Sequence, residues 1–260
     1  MTFSSKLRLS AVAVSVLAVS VAGFALVPHA ATKDAFTADQ KAALNDIIHD
    51  YLMENPQVIM EAVAKHQVDQ EQAQVDAMKD LIVTKKDALF NDAGKPVAGN
   101  PKGSVVIAEF YDYNCGYCKH AFSDMAQILE SDKDVKFVMI DFPILSETSH
   151  MAAKYALAAG KQGKYFEMHS RLMKLSGQMR EEQLQDIGKD LGLDVEQMKK
   201  DADSADVAKQ IESNIALARE LGISGTPGFI INETPVRGYL GLEGMQSIIA
   251  EERAKLTKKD

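Results

Sequence analysis

Apolar runs and helical periodicity divide the second half of the chain into strands and helices. The runs Val105–Tyr111 and Val135–Asp141, together with a shorter one at 228–232, predict buried strands. Between the first two runs, the stretch 119–130 has apolar residues at helical spacing, namely Phe122, Met125, Ala126 and Leu129. A last helix is predicted over 242–255. Strand, helix and strand in this order predict a parallel βαβ unit, and the last helix can cover the sheet.

The second and third predicted strands are separated by roughly eighty residues of helical pattern, which is far too many for one crossover connection. Helices are predicted at 151–159, 165–175, 182–191 and 207–221. We therefore expect an α/β fold that carries an inserted helical subdomain at about 147–222.

Residues 36–86 are predicted to form a separate helical unit. Thr37 and Gln40 have the spacing of a capping box at a helix N-terminus. An apolar stripe follows at helical spacing, formed by Leu44, Ile47, Ile48, Tyr51 and Leu52. Asn55 and Pro56 end this helix, and Pro56 suits the first position of the next one.

The second helix becomes polar and carries a weak seven-residue repeat of Val68, Val75 and Ile82, with Met78 between them. Two short amphipathic helices cannot bury their stripes alone, so they pack on the following domain or on copies of themselves. We favour self-association, because the long polar helix carries the stripes away from the next strand. Residues 32–86 are thus predicted to be a helical oligomerisation region.

The stretch 87–104 is rich in Gly, Pro, Asn and Asp. This composition predicts a flexible linker and a domain boundary. The domain that contains the strands is therefore predicted to occupy residues 105–260.

The first 31 residues have the pattern of a secretory signal peptide. Lys6 and Arg8 form a basic region, 11–27 is apolar, and 28–31 or 23–25 provides a cleavage zone. Residues 1–31 are thus predicted to direct export to the periplasm. An uncleaved anchor is the alternative, although the segment is short and rich in Ala and Ser.

The net charge of the chain bears on its partners. The full chain has a formal net charge of −8; residues 1–31 carry two basic and no acidic side chains, which leaves 27 Lys and Arg against 37 Asp and Glu, or −10, in the rest. An acidic chain of this kind is unsuited to nucleic acid or to an anionic membrane, so no nucleic-acid partner is expected.

The chain has two cysteines, Cys115 and Cys118, three positions apart. A C-x-x-C motif that follows a strand directly and opens a helix is typical of thioredoxin-like redox pairs. Cys115 would lie at the helix N-terminus, where unpaired N–H groups and the helix dipole favour a thiolate. We therefore predict that Cys115 is the attacking thiol and that Cys118, one turn further on, is the resolving thiol.

Other interpretations of the cysteine pair have less support. A disulfide across two residues closes too small a loop to stabilise much, and zinc would need two further ligands from scattered histidines. Haem attachment requires histidine directly after Cys118, where Lys119 stands. Lys119 could help to hold a thiolate, although a solvated lysine is the default. His120, His150 and His169 are expected to be surface or core residues, so we predict no metal site and no cofactor.

Residues 109–119 (Glu-Phe-Tyr-Asp-Tyr-Asn-Cys-Gly-Tyr-Cys-Lys) and, much later, 225–229 (Gly-Thr-Pro-Gly-Phe) resemble the DsbA-like family of periplasmic thiol–disulfide oxidoreductases. The resemblance covers residues 105–260. It implies a thioredoxin fold with a helical insertion.

The resemblance also implies roles for particular residues. Thr226 and Pro227 are expected to form a cis peptide next to the cysteines and to present backbone groups to an extended client segment. Gly116 and Tyr117, between the cysteines, are expected to contact the client. Glu109 is expected to be a buried acid that passes protons to the resolving thiol, with a glutamate facing water at a sheet edge as the alternative.

The N-terminal helices and the linker resemble the ScsC-type branch, whose members can be trimeric disulfide isomerases; dimeric relatives with similar extensions also exist. DsbA has Pro-His between its cysteines, where the histidine makes it a strong oxidant. This chain has Gly-Tyr there, as in the dimeric isomerase DsbC, and it shares Thr before the loop proline with that isomerase. Both departures favour isomerase or reductase activity.

Together these observations predict a periplasmic protein disulfide isomerase that acts on unfolded or misoxidised client proteins. It would be kept reduced by a membrane thiol reductase and would form a homo-oligomer, a trimer ahead of a dimer. A DsbA-like dithiol oxidase and a copper-binding thiol protein of the same fold are the alternatives.

Overall fold

The computed structural model describes residues 36–91 and 94–258, so the predicted signal peptide at 1–31 lies outside the described residues. Within those ranges no helix has both the length and the apolar character that a membrane crossing requires. The elements follow in the order α1 (Ala38–Glu54), α2 (Gln57–Thr84), a single π-helical turn (Asp87–Asn91), β1 (Val97–Gly99), β2 (Val105–Tyr111), α3 (Gly116–Ser131), β3 (Val135–Asp141), α4 (Glu147–Lys161), α5 (Tyr165–Lys174), α6 (Glu181–Asp190), α7 (Val195–Ala202), α8 (Ala205–Glu220), β4 (Gly228–Ile231), β5 (Thr234–Arg237) and α9 (Gly241–Leu256).

The strands form one mixed sheet in the order β1-β3-β2-β4-β5. Strands β2 and β3 are parallel and are joined through α3, which confirms the predicted βαβ unit. The pairs β1–β3, β2–β4 and β4–β5 are antiparallel. Strand β2 is central and almost completely buried, because both of its faces are covered, and this explains its continuous apolar sequence.

Alternate residues of β2 enter two separate hydrophobic clusters. Ile107 and Tyr111 belong to the larger cluster, which includes side chains of α3, α9 and the inserted helices. Ala108 and Phe110 belong to a smaller cluster on the opposite face, with side chains from the end of α2, the π-helical turn and α8. The sheet is therefore the middle layer of an α/β/α arrangement, as the fold-class prediction requires.

The helical insertion consists of α4 to α8. Four of these helices lie close to their predicted positions, whereas α7 was not predicted. It has eight residues and buries only Met198 and Ala202, so it carries too little apolar periodicity to be recognised. A buried chain of hydrogen bonds ties the insertion to the sheet, because Tyr165 of α5 contacts the hydroxyl of Tyr111 and donates to Asp141 Oδ2 over 2.7 Å.

The prediction of a flexible linker at 87–104 is wrong. The π-helical turn buries Leu89 and Phe90 against the sheet, and β1 pairs with β3 in the register Val97↔Val138. The glycine that ends β1, Gly99, has φ +81°, and a Cβ atom there would lie 2.6 Å from the carbonyl oxygen of Val135. The Gly- and Pro-rich composition thus serves a short edge strand, and the domain begins before the predicted residue 105.

The boundary predicted at residue 86 also differs from the structure, since the second compact unit already begins at Ala62. Met78 and Ile82 of α2 are buried in that unit, whereas Val68 is 62% exposed. The seven-residue repeat therefore has no uniform environment. Its C-terminal part packs on the sheet of the same chain, and not on other copies of the helix as the self-association hypothesis requires.

The first compact unit contains α1 and the start of α2. Thr37 and Gln40 form the predicted capping box, in which Gln40 N donates to Thr37 Oγ1 and Thr37 N donates to Gln40 Oε1. No residue of α1 is buried. Large apolar side chains are exposed along this part of the chain, among them Phe36, Leu44, Ile47, Ile48, Tyr51, Ile59 and Met60. The predicted self-association of these stripes stays a prediction.

Candidate redox site

The two cysteines lie where β2 leads into α3. Cys115 is the N-cap residue of α3, with extended backbone angles of φ −77° and ψ 118°, and the helix begins at Gly116. The amide of Cys118 donates to Cys115 Sγ over 3.3 Å. Both cysteines are free thiols. The predicted position of Cys115 at a helix N-terminus is therefore confirmed.

The loop before β4 lies in contact with Cys115. The peptide bond between Thr226 and Pro227 is cis, as the resemblance implied. In its protonated form the Cys115 thiol donates to the carbonyl oxygen of Thr226 over 3.3 Å. Two segments that are far apart in sequence thus meet at one sulfur atom.

The two thiols differ in acidity. The pKa of Cys115 is lowered to about 6, chiefly by a hydrogen bond with the Cys118 side chain and also by the backbone N–H groups of Cys118 and Tyr117. The pKa of Cys118 is raised, first by burial and then by its hydrogen bond to Cys115. Near neutral pH, Cys115 is therefore the thiolate and Cys118 the protonated thiol, which are the states that an attacking and a resolving cysteine need.

Glu109 lies on β2 and is only 2% exposed, so the alternative of a water-facing glutamate is wrong. Burial raises the pKa of its carboxyl to about 8, with a smaller contribution from the nearby Cys115 charge. The charge of Glu109 in turn contributes to the raised pKa of Cys118. Glu109 is thus a buried acid in electrostatic contact with both thiols, and it can hold or accept a proton in the neutral pH range.

The residues between the cysteines lie at the surface. Gly116 is exposed, and Tyr117 is 64% exposed. The ring of Tyr117 lies 6.0 Å from that of Tyr239 and 6.5 Å from that of His120. Tyr239 is held in place because its hydroxyl donates to Asp124 Oδ2 over 2.7 Å. These three rings form an aromatic surface beside Cys115 that the sequence analysis did not identify.

The side chains of Lys119 and His169, which the sequence analysis considered as candidates, bond to residues other than the cysteines. Lys119 donates to the carbonyl oxygen of Leu175, so it is neither a partner of the thiolate nor a freely solvated lysine. His169 is buried and shares a 3.0 Å hydrogen bond between its Nδ1 atom and the Tyr113 hydroxyl, while burial lowers its pKa to about 3. Within the described residues its Nε2 atom has no hydrogen-bond partner.

His120 and His150 are exposed. In the part of the chain that the structure describes, no three His, Cys, Asp or Glu residues are grouped so that they could hold a metal ion.

Known proteins share this fold. The family model described as thioredoxin matches residues 91–251, and a model of the N-terminal domain of the copper resistance protein ScsC matches residues 40–73. The chain belongs to the thioredoxin family. Its N-terminal match places it, within that family, with proteins of the DsbA and ScsC type, as the resemblance indicated.

Solved structures of family members align with the chain. A thioredoxin-like oxidoreductase from Silicibacter pomeroyi DSS-3 is 40% identical over 65% of this chain and 97% of that one, with a TM-score of 0.62. The thiol–disulfide exchange protein α-DsbA2 from Wolbachia pipientis is 32% identical over 69% of this chain and 97% of that one, with a TM-score of 0.64. A linker-deletion mutant of ScsC from Proteus mirabilis is 27% identical over 86% and 100%, with a TM-score of 0.65.

The first curated relatives are Na⁺/H⁺ antiporters NhaA from two Salinispora species, which are 26% identical over 155 residues. The chain spans only 24% of their length, and antiport is an activity of those proteins. The motif, the cis-proline loop and the family matches together make this thioredoxin-family chain a thiol–disulfide oxidoreductase of the DsbA/ScsC type.

Proposed function

We propose that this oxidoreductase is a periplasmic protein disulfide isomerase that rearranges wrong disulfides in client proteins. The observation that carries the proposal is a thiolate-forming Cys115 that faces the Thr226–Pro227 loop, with Gly116 and Tyr117, as in a known isomerase, between the two cysteines. A thiolate near neutral pH supports attack on client disulfides.

In the first step the Cys115 thiolate attacks one sulfur of a client disulfide. The client S–S bond breaks, a mixed disulfide forms between Cys115 and the client, and the second client sulfur leaves as a thiolate. A different client cysteine, as its thiolate, can then attack the client sulfur of the mixed disulfide; attack by the first thiolate would only restore the original bond. A new client disulfide forms, Cys115 returns as a thiolate, and no net oxidation or reduction takes place.

The second route out of the mixed disulfide uses Cys118. Because its pKa is raised, Cys118 must lose a proton before it attacks the sulfur of Cys115. Glu109, whose pKa is about 8 while Cys115 is charged, is the buried group that can take this proton in its ionised form, and the loss of the Cys115 charge in the mixed disulfide favours that form. The products are a reduced client and a Cys115–Cys118 disulfide, which a membrane thiol reductase must then reduce with two electrons.

The client would bind along the loop that carries the cis peptide. Thr226 and Pro227 offer backbone groups to an extended segment, and the ring of Tyr117, between the two cysteines, is exposed. A cleft of about 470 Å³ borders the same loop, lined in part by Gly225, Arg237 and Gly238. These features support recognition of an extended client segment.

We further propose that the protein is exported through the signal peptide at residues 1–31 and acts as a homo-oligomer, a trimer ahead of a dimer. The exposed apolar side chains of α1 support self-association. Full burial of an exposed Leu or Ile side chain contributes up to about 1.5–3 kcal/mol, so burial of Leu44, Ile47 and Ile48 in each subunit would stabilise an assembly.

Refolding of ribonuclease tests the isomerase proposal against the dithiol oxidase. Scrambled ribonuclease needs rearrangement of its disulfides, whereas fully reduced ribonuclease needs oxidation. We expect the reduced protein to restore activity to scrambled ribonuclease much faster than the Cys115→Ser variant does. Efficient oxidation of reduced ribonuclease without any rescue of the scrambled form would instead identify a dithiol oxidase.

A further inference from the structure

The carboxylate of Asp112 joins the loop that carries Cys115 to the loop that follows β3. Asp112 is 1% exposed. Its Oδ1 atom accepts hydrogen bonds from Asn114 N over 2.8 Å and from Ser149 Oγ over 2.7 Å. Its Oδ2 atom accepts from the backbone amides of Ile144 and Leu145 over 2.9 and 3.0 Å. One buried side chain therefore satisfies three backbone N–H groups in two different loops.

Asn114 strengthens the same connection. Its amide nitrogen, Nδ2, lies 2.8 to 2.9 Å from three hydroxyl oxygens of the second loop, those of Ser146, Thr148 and Ser149. Ser146 also caps α4 through the amide of Ser149. The residue directly before the nucleophile is thus fixed to the start of α4.

These bonds define the turn that places Cys115. The Asp112 side chain holds the amide two residues on, which is an Asx-turn, while the Asp112 carbonyl accepts from Cys115 N over 3.1 Å. Cys115 must keep its extended N-cap geometry for its sulfur to receive the Cys118 amide and to reach Thr226. We propose that Asp112, supported by Asn114, is the positioning residue for the nucleophile Cys115.

This role goes beyond the proposed isomerase function, because it concerns the reactivity of Cys115 in any thiol–disulfide exchange. Positioning and charge also shift the pKa of Cys115 in opposite directions. A negative charge near a thiolate disfavours it, so removal of the Asp112 charge alone would lower the pKa of Cys115. Loss of positioning raises that pKa, because the amide hydrogen bonds to Sγ weaken.

The variant Asp112→Asn separates these effects. Its single oxygen can serve either the Ile144 and Leu145 amides or the side that faces Asn114 and Ser149. In the first orientation the side-chain NH2 group of the new asparagine faces Asn114 N and Ser149 Oγ. Only the contact with Asn114 N then places two donors against each other, because the Ser149 hydroxyl can turn and accept a hydrogen bond. In the second orientation the NH2 group faces the amides of both Ile144 and Leu145, so donors oppose each other at two contacts and this orientation is less favourable. Asp112→Asn should therefore release the Cys115 loop while the loop after β3 stays anchored.

The experiment measures the rate of Cys115 alkylation by iodoacetamide from pH 4 to 9 in the full-length reduced protein. We expect the titration midpoint of Asp112→Asn to rise by about one pH unit, which lowers the rate at pH 6 about fivefold because the thiolate fraction falls from about one half to about one tenth. The matched control is Glu252→Gln. Glu252 is also buried and accepts from Thr234 Oγ1, at the end of the β4–β5 hairpin away from Pro227. Its midpoint should equal that of the wild type.

An unchanged or lowered midpoint in folded Asp112→Asn would overturn the proposal, since it would indicate a structural or a purely electrostatic role. If Asp112→Asn does not fold, Asn114→Ala provides the test, because it keeps every backbone hydrogen bond of Asp112 and removes only the amide contacts to the three hydroxyls. Its midpoint should rise by a smaller amount, and a midpoint equal to that of the wild type would refute the positioning role.

Discussion

The sulfur of Cys115 lies 3.3 Å from the carbonyl oxygen of Thr226, although 111 positions separate the two residues in the chain. The contact joins the start of α3 to the cis-proline loop before β4. In the proposed function, a client segment that pairs with this loop would carry its disulfide to the nucleophile.

The hydrogen bond between the two thiols should contribute to the acidity of Cys115. In Cys118→Ala the pKa of Cys115 should rise from about 6 but stay below the ordinary thiol value, because the backbone N–H groups of residues 117 and 118 remain. Cys118→Ser keeps a side-chain donor and should leave the pKa nearer to that of the wild type. Thiolate absorbance during a pH titration measures both values, and equal values for the two variants would rule out this contribution.

Glu109→Gln should slow the resolution of a mixed disulfide and leave the first attack nearly unchanged. The reason is that only resolution requires Cys118 to lose its proton to the buried carboxyl. Single-turnover reduction of a peptide disulfide, followed by acid quench, separates the two steps. An unchanged resolution rate would argue against a proton-transfer role for Glu109.

The same substitution should change how stability depends on pH. The folded-state pKa of Glu109 is raised from an ordinary value of 4.5 to about 8, so the carboxyl stays neutral in the folded protein while the unfolded chain ionises. Its contribution to stability is complete below pH 4.5 and is lost as the pH rises through 8. Urea unfolding should show that Glu109→Gln lacks this loss, whereas the exposed control Glu251→Gln should follow the wild type.

His169 should weaken the fold in acid. Burial lowers its pKa from 6.5 to about 3, so stability is complete above pH 6.5 and is lost as the pH falls from there towards 3. His169→Gln can still bond Tyr113 but cannot be protonated, and the difference between its unfolding free energy and that of the wild type should change across this window. The exposed control His150→Gln should show no such difference. Parallel pH profiles for His169→Gln and the wild type would contradict the buried, neutral histidine.

The exposed stripe of α1 should hold the subunits together. Ile47 is 65% and Tyr51 55% exposed, and glutamate at both positions should convert an oligomer into a monomer, as measured by light scattering. Val83→Glu, at a residue that is 57% exposed near the end of α2, is the matched control and should keep the mass of the wild type.

Loss of the oligomer should remove most isomerase activity and spare dithiol oxidation, because linked sites raise the effective concentration of thiols around one client. Point variants are preferable to a deletion that ends at residue 86, since such a deletion would also remove the buried Met78 and Ile82. A monomeric wild type, or a monomeric variant with full isomerase activity, would contradict this link.

The sequence predicted those parts of the fold whose signals are long. Strands β2 and β3 are continuous apolar runs because both of their faces are buried, and α4, α5, α6 and α8 have clear helical periodicity. By contrast, β1 and β5 have three and four residues, too few to show a period of two. Their Gly and Pro residues have the composition of a linker, and only pairing with β3 and β4 makes them strands.

The site was predictable to the extent that its chemistry is local. Cys115 and Cys118 are neighbours on one helical turn, so a motif was enough to find them. Thr226 and Pro227 depend on the return of the chain at β4, and only the family resemblance placed them there. Asp112 had a usable local signal, an Asp two residues before an Asn at a strand end. Tyr239 had none, because its position follows from the β4–β5 hairpin.

The most direct test of this account is the pH dependence of alkylation of the reduced wild-type protein, with the modified cysteine identified by mass spectrometry. Cys115 should react with a midpoint near pH 6, and Cys118 should stay unmodified at neutral pH. Equal modification of both cysteines, or a Cys115 midpoint near the ordinary thiol value of about 8.5, would contradict the assignment of Cys115 as the activated nucleophile.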